Sequence, residues 1–402
     1  MSLPEVLPRK PTVKDRLHEG YRSLQRGARK MTRQLRNPGK TSIPLPATKN
    51  SAQHELFNRN ELAVLSWPEM QTQWWYFTGQ LKCKDSKDEF GFQSVFFERH
   101  AHHDFVGPLP TRLLKSEYFV SHCALSHISA IDIQKSFRYH QRGGVAQKHF
   151  GSASENQFEI QVDHWKAYSE DNAFQLFICE GKEKIKLQLT PTKALIRHGE
   201  RGYFEKSIQP EDSSYYCSYT RMKAEGEIRI DERNFEVVGQ AWMDHEKMSC
   251  QDEVFHHGWD WFSLQFDNHS ELMIYRIRDS EGKFSFMSAA TFVDPEGRTT
   301  PVSSFEMEFQ ILETWKSHQS GAVYPVTQHI RIPKLELSIV VRPRLMAQEM
   351  DTCRSSFCTY WEGSVTCEAK FASKMVKGLG YVELVGYDPR PHAKILKLLT
   401  LT

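Results

Sequence analysis

Residues 240–266 read QAWMDHEKMSCQDEVFHHGWDWFSLQF. The run at 241–246 reads as a strand. Successive side chains then alternate, which sends Trp242, Asp244 and Glu246 to one face and Met243 and His245 to the other. The run WDWFSLQF at 259–266 is apolar without helical spacing. It is bounded by Gly258 and the turn signal Asp267-Asn268, and it too reads as a strand.

That second run has a counterpart upstream. Tyr76-Phe77-Thr78-Gly79-Gln80-Leu81 lines up with Trp261-Phe262-Ser263-Leu264-Gln265-Phe266. Each is preceded by aromatics, Trp74 and Trp75 in one case and Trp259 in the other. Each leads through a polar turn to an apolar strand ending in charge, Phe96-Phe97-Glu98-Arg99 or Tyr275-Arg276-Ile277-Arg278. Two matching hairpins in a chain of 402 residues predict two similar β domains. Outward from them the chain reads as short strands, among them 90–98, 173–179, 185–189, 226–238, 271–278, 335–342, 363–371 and 380–387. Turns such as Glu281-Gly282 and Pro295-Glu296-Gly297 separate them, and no long helical pattern follows residue 60. Many short strands at regular spacing predict all-β barrels or sandwiches.

Composition narrows the functional classes. Aromatic residues make up 12% of the chain, which suits aromatic-lined β interiors. Residues 1–40 carry eleven Lys and Arg against three acids, so the remainder, with 41 against 47, is mildly acidic. A mildly acidic body argues against nucleic-acid binding. The eight cysteines are scattered without a CxxC, which predicts free thiols in a reducing, cytoplasmic setting. Neither a secretory signal nor a membrane-spanning run of ~20 apolar residues is expected.

The basic segment has its own pattern. Val13, Leu17, Tyr21, Leu24, Ala28, Met31 and Leu35 share one helical face, five arginines occupy the rest, and Asn37-Pro38-Gly39 ends the run. A helix over 10–37 could lie on an anionic membrane surface, giving peripheral membrane contact. Docking on the body, a disordered basic arm and an organellar transit peptide stand beside that reading.

Taken together, WWYFTGQL, VVGQAWMDHE, GWDWFSLQF, ELMIYRIR, Trp315 with Ser320-Gly321 and Tyr324-Pro325, YWEG and GYVELVGY resemble the AttH/carotenoid 1,2-hydratase family, also called the hydroxyneurosporene synthase family. The motifs run in the family's order across 60–390. The resemblance implies two consecutive lipocalin-like antiparallel β-barrels, expected at 46–232 and 233–402 behind a basic helical leader at 1–45. It further implies cofactor-independent addition of water to a carbon–carbon double bond of an isoprenoid or carotenoid-type substrate, or cyclisation of another apolar natural product. The implied partner is a lipophilic small molecule. One departure is visible: many members carry Trp-Gly after Asp-His-Glu, and this chain carries Lys247 and Met248.

Alkene hydration needs an acid strong enough to protonate carbon and a lining that tolerates a carbocation. If the Trp242 face points into a barrel interior, Asp244 and Glu246 become two buried acids about 7 Å apart along the strand, and burial raises at least one pKa. In the opposite register His245 becomes the acid and the carboxylates orient it. Both registers stay open, so Asp244, His245 and Glu246 are all candidates. The rings expected to shield a cation are Trp75, Tyr76, Trp242, Trp259, Trp261 and Tyr275. His122, in YFVSHCALSHIS, is a candidate pocket residue through the resemblance, with a hydrogen-bonded core histidine as its alternative.

Three other readings stand beside this one. The carboxylates could simply pair with Arg276 and Arg278 and close a barrel. A metal is not expected, since adjacent strand residues diverge and there is no HExxH; His100, His102 and His103 form the other histidine cluster. A non-catalytic carrier of lipophilic molecules would share the fold, because function lives in the site.

Overall fold

The structure, a computed structural model, describes residues 72–99, 105–106, 109–110, 118–132, 135–145, 151–153, 158–206, 212–248, 257–279, 281–356 and 358–390. The helix expected over 10–37, with the whole leader, and the histidines at 100–103 lie outside the described residues. Among the described residues no helix is long and apolar enough to cross a membrane.

The described chain is β-structured. Its strands are β1 (Thr72–Cys83), β2 (Glu89–Arg99), β3 (Phe105–Val106), β4 (Leu109–Pro110), β5 (Tyr118–His127), β6 (Phe137–Val145), β7 (Gly151–Ala153), β8 (Glu159–Val162), β9 (Trp165–Glu170), β10 (Ala173–Glu180), β11 (Glu183–Pro191), β12 (Ile196–Arg197), β13 (Tyr203–Glu205), β14 (Ser213–Ile230) and β15 (Arg233–Met248). There follow β16 (Trp259–Phe266), β17 (Glu271–Ile277), β18 (Ala289–Val293), β19 (Thr299–Ser303), β20 (Glu308–Lys316), β21 (Val323–Ile332), β22 (Leu337–Pro343), β23 (Glu349–Asp351), β24 (Thr359–Phe371) and β25 (Lys374–Val385). Two large antiparallel sheets result, beside a two-stranded β3-β4 ribbon. The first runs β6-β5-β2-β1-β15-β14-β11-β10-β9-β8-β7, and the second runs β19-β18-β17-β16-β25-β24-β22-β21-β20. Both lie in one compact unit.

Each sheet curls around its own core. In the first, Phe77, Phe92, Trp165, Leu187, Tyr219 and Met243 are buried together. Its far end returns to β5: Gly151 on β7 abuts the Phe119 side chain, which a Cβ at that position would overlap. The second packs Phe262, Ile274, Ile330, Val341, Trp361 and Leu384.

The strands that face only one core keep the alternation of a half-buried sheet. In β11, Ile185, Leu187 and Leu189 point in, while Lys186 and Gln188 point out. The strands at the centre of each sheet lose it. In β1 every residue from Trp75 to Leu81 is buried, because Trp75, Phe77 and Leu81 fill the first core while Tyr76 faces the other sheet. A third cluster, including Tyr76, Tyr216, Trp242, Trp261, Tyr275 and Tyr381, fills the space between the sheets.

The matched hairpins occupy equivalent places. β1 pairs with β2 and with β15, the strand that ends its sheet's sequence; β16 pairs with β17 and with β25 in the same way. The strand carrying Asp244 does not begin the second sheet. β15 pairs with β1 and β14, so the change of sheet falls between Met248 and Trp259 rather than at the expected 232/233 division.

Directional bonds fix one sheet on the other. Gln80 donates to the Gly380 carbonyl at 2.8 Å, and Ser364 donates to Gln80 at 2.7 Å. Gln265 donates to the carbonyls of Thr220 and Ala241 at 2.8 and 3.0 Å. Arg221 and Lys193 both hold the buried Glu271, at 2.5 and 2.8 Å. Gly91 abuts Ser364, whose Cβ would lie 2.6 Å from any Cβ placed there. Only a glycine lets the sheets approach this closely at that point.

Candidate active site between the two sheets

A cavity opens within the aromatic layer. It offers about 90 Å³ to the centres of water-sized spheres, several times the ~10–15 Å³ that one water needs. The first sheet lines it with Trp74, Tyr76, Gln93, Tyr216, Asp244 and Glu246, and the second with Trp259, Trp261, Tyr275, Tyr360 and Glu383.

The carboxylate face of β15 does not point into the barrel interior, as the acid reading expected, but outward to the space between the sheets. The Trp242 face looks across to the second sheet, and the Met243 face fills the first core. Asp244 is therefore a buried acid at the cavity. Tyr216 donates to its Oδ2 at 2.6 Å, Trp242 donates to its Oδ1 at 2.5 Å, and Ser218 also donates to Oδ1. Burial is the largest influence and raises its pKa. The three donors oppose that, the charge of Glu246 adds to it, and the balance stands at about 7. The donors hold the carboxylate left after proton release, while Oδ2 keeps a second lone pair to carry a proton.

Behind Asp244 the network crosses to the second sheet. Trp261 donates its indole N–H to the Tyr216 hydroxyl at 2.9 Å. His198 bridges Ser218 at 2.7 Å and Thr291 of β18 at 3.0 Å. Burial holds His198 neutral, with its pKa lowered to about 3. Glu246 is not a free acid: Lys206 Nζ lies 2.6 Å from its carboxylate with both side chains buried, and the same ammonium sits 4.3 Å from the centre of the Tyr275 ring.

The second sheet contributes an acid of its own. Glu383 lines the cavity and accepts the Trp259 N–H at 3.2 Å. Burial first, opposed by that bond and reinforced by Asp244 and Glu246, brings it to about 7. Its position repeats that of Asp244. Tyr76 pairs with Asp244 across β1 and β15, and the matching Trp261 pairs with Glu383 across β16 and β25. The two aromatics meet edge-on, 5.1 Å apart. Glu362 stands opposite Glu383 on β24, accepts the Tyr76 hydroxyl, and is raised well above the usual carboxylate range by burial and by Glu383.

Several sequence expectations are corrected by this geometry. His245 does not reach the cavity; it stacks on Trp75 at 5.0 Å inside the first core, so Trp75 also points away and its neighbour Trp74 lines the cavity instead. Trp242 stands behind the cavity wall as a donor to Asp244. His122 is buried behind Tyr360, bonded to its hydroxyl at 2.8 Å. Arg276 and Arg278 do not pair with Asp244 or Glu246; both hold Asp260, with Arg278 at 2.7 Å. Tyr76, Asp244, Glu246, Trp259, Trp261 and Tyr275 all line the cavity as a group, and so does Met248. Sequence reasoning missed Glu383, Lys206, Tyr216, Ser218, His198, Glu362 and Gln93. Two of these had a signal: Glu383, an acid within the apolar GYVELVGY at the place the internal repeat assigns to Asp244, and Glu362, within the motif YWEG.

The sequence matches the family described as AttH-like over residues 63–387. The chain belongs to the AttH-like family. A crystal structure of an AttH-like protein from Nitrosomonas europaea resembles this one with a TM-score of 0.69 at 25% identity, covering 87% of this chain and 100% of that one. Kievitone hydratase from Nectria haematococca shares the AttH-like fold, with a TM-score of 0.60 at 15% identity over 78% of this chain and 88% of that one. No curated protein sequence matches this AttH-like chain significantly.

Proposed function

We propose that this AttH-like protein adds water to a carbon–carbon double bond of an apolar, isoprenoid-type molecule held between the two sheets, without a cofactor. The observation that carries the reading is Asp244, an acid buried among aromatic rings, poised at about 7, with three donors ready for its conjugate base. A catalytic acid works best with a pKa near the operating pH.

The alkene π electrons take the proton from Asp244, forming a C–H bond and a cation on the neighbouring carbon. The faces of Tyr76, Trp259, Trp261 and Tyr275 attract that cation through their quadrupoles. A water oxygen then forms the C–O bond, and Glu383, as carboxylate, accepts the proton that the water loses. The two acids exchange that proton through solvent to complete the cycle. The pairing of Lys206 with Glu246 keeps a third negative charge from accumulating in the cavity.

Substrate trapping tests this. Lipids that co-purify with the Asp244→Asn protein should include an alkene, and those with the wild type its hydrate. The same unaltered lipid in both preparations would overturn the hydratase reading in favour of a carrier.

A further inference from the structure

Gln93 lines the cavity and is fully buried, yet neither its Nε2 nor its Oε1 has a hydrogen-bond partner among the described residues. A buried amide with both ends unpaired is costly, and such groups are normally matched. Its place in the sheet is defined. Tyr76 pairs with both Asp244 and Val95, and Gln93 is the next residue on the same face of β2. Gln93 therefore stands two strand spacings from the strand of Asp244, roughly 10 Å to the side.

The surroundings of Gln93 select the charge of what it binds. Gly91, on the same strand face, abuts Ser364, and Tyr76 on the neighbouring strand donates to Glu362. These contacts bracket Gln93 against β24, where Glu362 Oε2 also lacks a partner and Glu383 stands opposite Glu362. A ligand carboxylate or phosphate here would add a buried negative charge beside Glu383, whereas burial favours the protonated form of Glu362. A neutral oxygen would not, and it can accept from Nε2; a hydroxyl can also donate to Oε1.

We propose that Gln93 anchors a neutral hydroxyl or carbonyl oxygen on an otherwise apolar ligand, with its backbone about 12 Å from that of Asp244. The inference rests on the reading that this cavity holds the substrate, and it narrows the substrate class. The molecule is an oxygenated one rather than a pure hydrocarbon or a fatty acid. Gln93 reads its oxygen while Asp244 addresses its double bond.

Binding of 2-naphthol, naphthalene and 2-naphthoate to the full chain, followed by equilibrium dialysis near neutral pH, tests the anchor. Wild type should bind 2-naphthol ~10-fold or more tightly than the other two, as expected for hydrogen bonds that complete an unpaired buried group. Gln93→Leu should bind naphthol and naphthalene alike. Equal binding of naphthol and naphthalene by wild type, tightest binding of naphthoate, or no binding of any probe would overturn the proposal, even if Gln93→Leu failed to fold. A naphthol preference that survives in a folded Gln93→Leu would also overturn it. The Asp244→Asn variant should keep the preference. The preference without hydration would leave the anchor and remove the hydratase reading; hydration without the preference would do the reverse.

Discussion

The Tyr216 hydroxyl donates to Oδ2 of Asp244 at 2.6 Å while it accepts the indole N–H of Trp261 at 2.9 Å. The acid of the first sheet is thus oriented by a ring of the second, and the site exists only where the sheets meet. Tyr216→Phe keeps the ring and removes this link. Losing a donor leaves the Asp244 carboxylate less stabilised, so its pKa rises. We expect kcat to fall ~10-fold and the pH at which activity is lost to move upward. An unchanged pH profile would separate Tyr216 from the chemistry.

Stability should fall as the medium becomes alkaline. Asp244 and Glu383 are each raised to about 7, chiefly by burial, whereas unfolding returns them to about 4. Between those values the folded chain holds protons that the unfolded chain has released. The resulting stabilisation is complete below pH ~4 and is lost as pH rises through ~7. Each acid accounts for about 3–4 kcal/mol of the change. Buried neutral His198 acts in the opposite sense below pH ~6.5, so the two acids are read as a difference: from pH 5 to 8 the urea midpoint of wild type should fall relative to that of the Asp244→Asn, Glu383→Gln double variant. A difference that stays constant or grows in favour of wild type with pH would contradict the assignment.

Glu383→Gln should lower turnover by ~100-fold while leaving ligand binding in place, since it removes the group to which the proposed reaction gives the proton of water. Steady-state kinetics beside a binding isotherm would show this as a loss in kcat with KM little changed.

His245→Gln separates the two faces of β15. His245 stacks on Trp75 within the first core, so the variant should lose about 1–3 kcal/mol of stability and keep turnover within a few-fold of wild type. A collapse of activity in a folded His245→Gln protein would return the acid role to His245.

The Lys206–Glu246 pair gives a further test. Removing one partner of a buried ion pair leaves an uncompensated charge and costs about 3–5 kcal/mol. Lys206→Met should show that loss in denaturant unfolding, and adding Glu246→Leu should recover most of it.

Much of the architecture was legible in the sequence for a simple physical reason. Hairpins that do the same structural work, at Tyr76 and at Trp261, carry the same residue classes, and they pair in the same order in the two sheets. Asp244 stood out because an acid inside an apolar strand demands an explanation. Its face did not stand out. From Ala241 to Glu246 every residue is buried, one side against a barrel core and the other against a second sheet, so hydrophobic alternation carries no sign of which is which. Lys206 lies beyond the short strand β13 with no periodic context, and its pairing with Glu246 is a product of tertiary approach. Arg276 and Arg278 were available in sequence to pair with Asp244, but the register sets Asp260 opposite Arg276 and between them.

In the proposed reaction this cavity joins water to a carbon–carbon double bond through Asp244. The most direct test is incubation of the apolar extract trapped by Asp244→Asn with the wild-type protein in heavy-oxygen water, followed by mass spectrometry. An alkene in the extract should gain one molecule of heavy-oxygen water with wild type and none with Asp244→Asn. Failure of wild type to incorporate the label, or equal incorporation by both proteins, would contradict it.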